Sequence, residues 1–81
     1  MENKFQKYRY FEYRYLPSRN VWQVLYDHQG QEFLHTFDGD KYRIDQCIDI
    51  ADTHIKEWYK LHKEFNTTLY NGQKEINYGN I

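Results

Sequence analysis

KYRIDQCIDIADTHIKEWYKLHKEF, residues 41–65, is the stretch that decides the fold. Ile44, Ile48, Ala51, Ile55, Trp58, His62 and Phe65 recur at alternating steps of four and three, which places them in one stripe along a helix. Cys47 and Leu61 widen that stripe, and neither Pro nor Gly interrupts it. Asp40, just upstream, is placed to cap the helix and to complement its N-terminal dipole. A helix of about 25 residues at ~1.5 Å per residue would run roughly 37 Å.

Working towards the N-terminus, the period changes from helical to alternating. Residues 32–37 read as a strand with Phe33, His35 and Phe37 on one face and Leu34 and Thr36 on the other. Residues 21–27 read as a second strand, in which Trp22, Val24 and Tyr26 alternate with Val21, Gln23 and Leu25. Apolar groups on both faces suit a central position. Gln29-Gly30 would join these two strands in a tight turn. Residues 5–16 read as a first, aromatic strand. Its phase shifts between Tyr10 and Phe11, which implies a bulge or two halves that bury different faces. Pro17-Ser18-Arg19-Asn20 is a turn, with Asn20 tolerant of the left-handed region. After Asn66 the periodicity fails. Leu69, Tyr70, Ile76 and Tyr78 are scattered through it and could dock as a short strand, but the composition reads as a mobile tail.

The expected fold is therefore α+β, a three-stranded antiparallel sheet packed on one long C-terminal helix (β-β-β-α). It forms a single domain over residues 1–65, with a flexible tail over 66–81. Strands of six or seven residues span only about 20–23 Å, so the hairpin cannot cover the whole helix. The far end, with Trp58, Leu61 and Phe65, needs cover from the first strand, the tail, a second copy or a partner. A homodimer through the helix end is one expectation.

The chain has 81 residues, room for one modest core. A single cysteine, Cys47, excludes an internal disulfide and sits on the apolar stripe, where cysteine is normally a small buried hydrophobe. The polar start is no signal peptide and no apolar run approaches membrane-spanning length, so a cytoplasmic location is expected. Nucleophile–base constellations and phosphate-binding glycine loops are absent, and the four histidines are dispersed. No catalysis, cofactor or metal is expected.

The chemistry lies in charge and aromatic placement. Net charge is −1, unevenly spread. In residues 1–20, Lys4, Lys7, Arg9, Arg14 and Arg19 stand against Glu2 and Glu12, a balance of +3. Residues 21–40 carry Asp27, Glu32, Asp38 and Asp40 with no Lys or Arg, a balance of −4. Asp45, Asp49 and Asp52 fall on one helix face and, with Asp38 and Asp40, form an acidic ridge. This ridge is either a solvated face suited to the helix dipole or a mimic of nucleic-acid phosphates that docks on a protein partner's basic groove. Tyr13, Tyr15 and Trp58 are the candidate aromatic contacts beside it. The alternative is nucleic-acid binding by the first strand, where Tyr8 and Tyr10 would stack on bases and Arg9, Arg14 and Arg19 would contact phosphates. That same strand is equally read as a charged edge guarded against aggregation.

The run Trp22-x-Val24-x-Tyr26-Asp27-x-x-Gly30, then Phe33 and Thr36-Phe37 before a helix, resembles the sheet-plus-helix skeleton of phage-integrase arm-binding and AP2-type DNA-binding domains over roughly residues 8–60. The resemblance implies a sheet that enters the major groove. Only Arg9, Arg14 and Arg19 could carry that role here, because the second and third strands hold no Lys or Arg. In size, aromatic content and mild acidity the chain also resembles small phage-encoded inhibitors, including anti-CRISPR proteins. The combined expectation is a non-enzymatic protein-binding regulator or inhibitor of phage or mobile-element type.

Overall fold

The structure, a computed structural model, describes residues 3–28, 31–62 and 72–79. The expected Gln29-Gly30 turn, Phe65 on the helix stripe and the tail residues 66–71 lie outside the described residues, as do the side chains of His28 and His62.

Strands β1 (Gln6–Tyr8), β2 (Phe11–Leu16), β3 (Val21–His28) and β4 (Gln31–Asp38) are followed by helix α1 (Ile44–His62) and a fifth strand, β5 (Gly72–Tyr78). The five strands form one sheet in the order β1-β2-β3-β4-β5. The first three pairings are antiparallel; β5 runs parallel to β4 after the crossover through α1. This corrects the expected β-β-β-α fold. The sheet is five-stranded and mixed, and the helix lies in the middle of the chain. The expectation of a flexible tail is overturned over Gly72–Tyr78, which pairs with all but the last residue of β4.

The first strand is two strands. The phase shift between Tyr10 and Phe11 marks a hairpin turn, because Tyr8 pairs with Phe11 and leaves Arg9 and Tyr10 as the loop. Arg9 takes a positive φ of 56°, as the first loop residue of a tight hairpin requires. Sequence reasoning missed the turn because neither residue is Gly or Asn. At the next turn Asn20 does adopt the left-handed region, φ 51°. Its carbonyl accepts a hydrogen bond from the Gly39 amide at 2.8 Å. Gly39 suits that approach, since a Cβ there would lie 2.8 Å from the Asn20 carbonyl oxygen.

Cross-strand partners share a face, so the register places Phe11, Tyr13, Trp22, Val24, Tyr26, Phe33, His35, Phe37, Ile76 and Tyr78 on one side of the sheet. Helix α1 covers that side with Cys47, Ala51, Ile55 and Trp58. The helix is 19 residues, about 28 Å at ~1.5 Å per residue. β3 and β4 are each 8 residues, about 26 Å at ~3.3 Å per residue. The mismatch expected from sequence therefore largely closes: the helix is shorter and the strands longer. Trp58 is buried within its own chain, its ring 5.4 Å from that of Phe33. Leu61, expected to widen the stripe, is 70% exposed.

Asp40 does not cap the helix. Arg43 holds the capping position: its carbonyl accepts from the Cys47 amide and its own amide donates to Gln46 Oε1, each at 2.9 Å. Among the described residues the helix leaves the opposite face of the sheet to polar and apolar side chains of the strands themselves, with Leu16 and Val21 buried there. At its centre Arg14 Nε donates to Gln23 Oε1 at 2.8 Å and Gln23 Nε2 to Thr36 Oγ1 at 3.4 Å, a connected set that satisfies two polar side chains only 4% and 3% exposed.

Candidate functional site

α1 lies along the sheet and leaves a groove on the β1–β2 side. Tyr8 from β1, Tyr13 from β2, and Ile44, Asp45, Ile48 and Asp49 from the first turns of α1 line about 320 Å³. The local reasons are separable. The tight turn at Arg9-Tyr10 folds short β1 back beside β2, and the pleat points Tyr8 and Tyr13 to the helix side. The four-residue spacing of Ile44 and Ile48, and of Asp45 and Asp49, sets one apolar and one acidic row along the same helix flank.

The hairpin tip is tied to the helix. Tyr10 Oη donates to Asp52 Oδ1, and Lys56 Nζ lies 2.9 Å from Asp52 Oδ2. The hydrogen bond from Tyr10, then that from Lys56, holds the Asp52 carboxyl below its usual range. The same bond to Asp52 raises the Tyr10 phenol. Asp45 and Asp49 are exposed and form no ion pair among the described residues.

The acidic ridge therefore divides into three. Asp38 and Asp40 belong to the turn after β4: Asp38 Oδ1 accepts from the Asp40 amide at 3.0 Å, and Asp40 Oδ1 accepts from Asn20 Nδ2 at 2.8 Å. Asp45 and Asp49 rim the groove. Asp52 is held by Tyr10 and Lys56. Among the aromatics, Tyr13 lines the groove and its hydroxyl donates to Gln6 Oε1 at 3.1 Å. Tyr15 is half-buried, packs on Trp22 at 5.0 Å and donates to Asn20 Oδ1. Trp58 is a core residue.

The three arginines do not converge. Arg9 sits in the β1–β2 turn with its guanidinium 5.3 Å from the Tyr8 ring centroid. Arg14 lies on the helix-free face of the sheet, 4.3 Å over the Phe5 ring. Arg19 is exposed in the β2–β3 turn. Tyr8 lines the groove and Tyr10 is tied to Asp52. The structure thus joins Tyr8, drawn from the nucleic-acid set, with Tyr13, Asp45 and Asp49 from the protein-binding set.

Ile44 and Ile48 were legible only as core. A histidine pair, His35 buried and His54 half-buried, was also missed, because the two are far apart in sequence. His35 is fully buried, with Nδ1 3.2 Å from the Tyr78 hydroxyl and its ring 5.0 Å from that of His54. Among the described residues His35 Nε2 and His54 Nδ1 are buried without hydrogen-bond partners. Burial, then the His54 charge, pulls His35 down to about 4. Burial pushes the Cys47 thiol up to about 12, so it stays protonated and unreactive at neutral pH.

Among the described residues no group of three or more His, Cys, Asp or Glu is placed to hold a metal ion, and no helix is long and apolar enough to cross a membrane. No protein-family model, curated protein or solved structure matches the chain.

Proposed function

We propose that this chain is a non-enzymatic protein-binding regulator or inhibitor, of the phage or mobile-element kind, that docks through the acidic flank of α1 and the adjoining tyrosines. The observation that carries the reading is the groove: Asp45 and Asp49, without an ion pair among the described residues, stand beside Ile44, Ile48, Tyr8 and Tyr13. Apolar and aromatic area supplies affinity, and the carboxylates select a basic partner and steer the encounter. Nucleic acid is the weaker reading. Its three arginines lie in three separate places, and a phosphate backbone approaching Tyr8 would meet Asp45 and Asp49.

The test is retention of a partner from a native-host lysate, treated with nuclease, on the immobilised full chain. Wild type retains a protein that salt elutes, and the Asp45→Asn/Asp49→Asn/Asp52→Asn variant loses it. Retention that vanishes with nuclease, or that survives the triple substitution unchanged, overturns the reading.

A further inference from the structure

We infer that the groove between β1–β2 and the first half of α1 is a receptor for an arginine side chain projecting from a basic protein partner. The inference rests on the protein-binding reading above and names what fills the site.

The groove's volume of about 320 Å³ is at the lower end of the ~300–1,000 Å³ usual for ligand sites. That suits a long side chain with its immediate neighbour better than a whole secondary-structure element. Its floor and rim differ in chemistry. Ile44, Ile48 and the two tyrosine rings offer an apolar and aromatic surface to an alkyl stem and a flat cation. Asp45 and Asp49, one helical turn apart, present two carboxylates with ~5–6 Å between their Cβ atoms.

Other occupants fit less well. An anion or a phosphate backbone is repelled by the paired carboxylates. A purely apolar side chain leaves both carboxylates partly desolvated with no partner, which is costly. Lysine supplies the charge, but its ammonium is compact and strongly hydrated. Guanidinium is planar and weakly hydrated, stacks on aromatic rings and offers enough donors to reach two carboxylates. Among the described residues no cation forms an ion pair with Asp45 or Asp49. Lys56 is engaged by Asp52, and Arg9 approaches the Tyr8 ring without an ion pair to Asp45 or Asp49. The Arg9–Tyr8 contact shows that this ring accepts a guanidinium. Tyr13 is steadied by its bond to Gln6, and the hairpin by Tyr10–Asp52, so both walls are held in place before binding.

The experiment titrates the isotopically labelled full chain with a blocked Leu- and Arg-bearing peptide, and with counterparts in which citrulline or lysine replaces arginine. Amide shifts are followed by NMR. The arginine peptide should perturb Tyr8, Tyr13, Ile44, Asp45, Ile48 and Asp49. Citrulline, matched in shape without the charge, should weaken binding at least about tenfold, since hydrogen bonds to charged groups are the strong ones. Lysine should fall between. Asp45→Asn/Asp49→Asn should bind the arginine and citrulline peptides alike, while Glu75→Gln, on the opposite face, should behave as wild type. Each substituted side chain is exposed, so the variants retain the fold, which their unperturbed spectra check. No shifts with the arginine peptide at millimolar concentration, shifts mapping to the helix-free face, or equal binding of the citrulline peptide each overturn the inference. Equal citrulline binding combined with partner loss in the triple asparagine variant removes the arginine assignment and leaves the protein-binding reading standing.

Discussion

Lowering the pH from 7.5 to 5 should destabilise the protein through His35. The side chain is 0% exposed. Phe33 and Phe37 flank it on β4, Tyr78 approaches from β5 and His54 meets it edge-on from α1. Among the described residues no carboxylate acts on it; Glu57 and Lys74 act on the neighbouring His54. Its folded pKa is about 4, against ~6.5 in an unfolded chain. Because the folded value is the lower one, the unfolded state takes up the proton first. Stability is therefore fully present above about pH 7 and is lost as pH falls from 6.5 towards 4. At pH 5 the linkage amounts to about 2 kcal/mol from His35 alone, with the folded pKa at about 4. That is a large share of what a domain this small possesses. His54, also lowered by burial, adds in the same direction. Asp52 acts elsewhere: its depressed carboxyl contributes stability lost only as pH falls below the ordinary carboxylate range. Urea unfolding at pH 7.5, 6.5, 5.5 and 5 measures the loss, with His35→Phe as the control, since it extends the row of Phe33 and Phe37. The variant should keep only the smaller slope due to His54. Wild-type stability unchanged at pH 5, or an equal loss in His35→Phe, would refute the argument.

A chain ending at residue 71 removes β5 and with it Ile76 and Tyr78, whose half-buried contacts contribute about 2–3 kcal/mol. Its Tm should drop by about 10 °C or more, and an unchanged Tm would contradict the five-stranded sheet. Asn20→Ala removes a side chain suited to φ 51° together with its bonds to Tyr15 and Asp40. It should cost about 1–3 kcal/mol in denaturant unfolding, and a cost near zero would deny that this turn is constrained. Tyr10→Phe cuts the exposed tie to Asp52. It should lower stability by less than about 1 kcal/mol while broadening the β1–β2 amide signals; sharp, unshifted signals would show that the tie does not hold the hairpin.

Much of this architecture was written locally. The stripe Ile44, Ile48, Ala51, Ile55 and Trp58 is a helical pattern that needs no tertiary information, and the aromatic and β-branched runs of β3 and β4 read as strands. What failed to show depended on distant partners or atypical turn residues. β5 carries Lys74, Glu75 and Asn77 among its apolar positions, so its strand character comes from the β4 edge, some forty residues away in the register. The unmet need for cover along the helix was the indirect sign of it, and the tail was among the candidates. The β1–β2 turn lacked Gly or Asn and registered only as a phase shift. The acidic helix face was legible as a periodicity. Which of its members are free was not, because Asp52 is held by Tyr10 from a hairpin that sequence alone read as a continuous strand. Trp58 looked available for contacts only while the strands were taken to be too short to reach it.

Carbodiimide cross-linking tests the central claim most directly. This reagent couples carboxylates to amines in contact without a spacer, and peptide mass spectrometry of the captured complex then names the linked residues. The account predicts couplings from Asp45 and Asp49 to lysines that neighbour the partner's docked arginine. Couplings confined to Glu32 or Glu75 on the helix-free side of the sheet, with Asp45 and Asp49 unmodified by the partner, would contradict it.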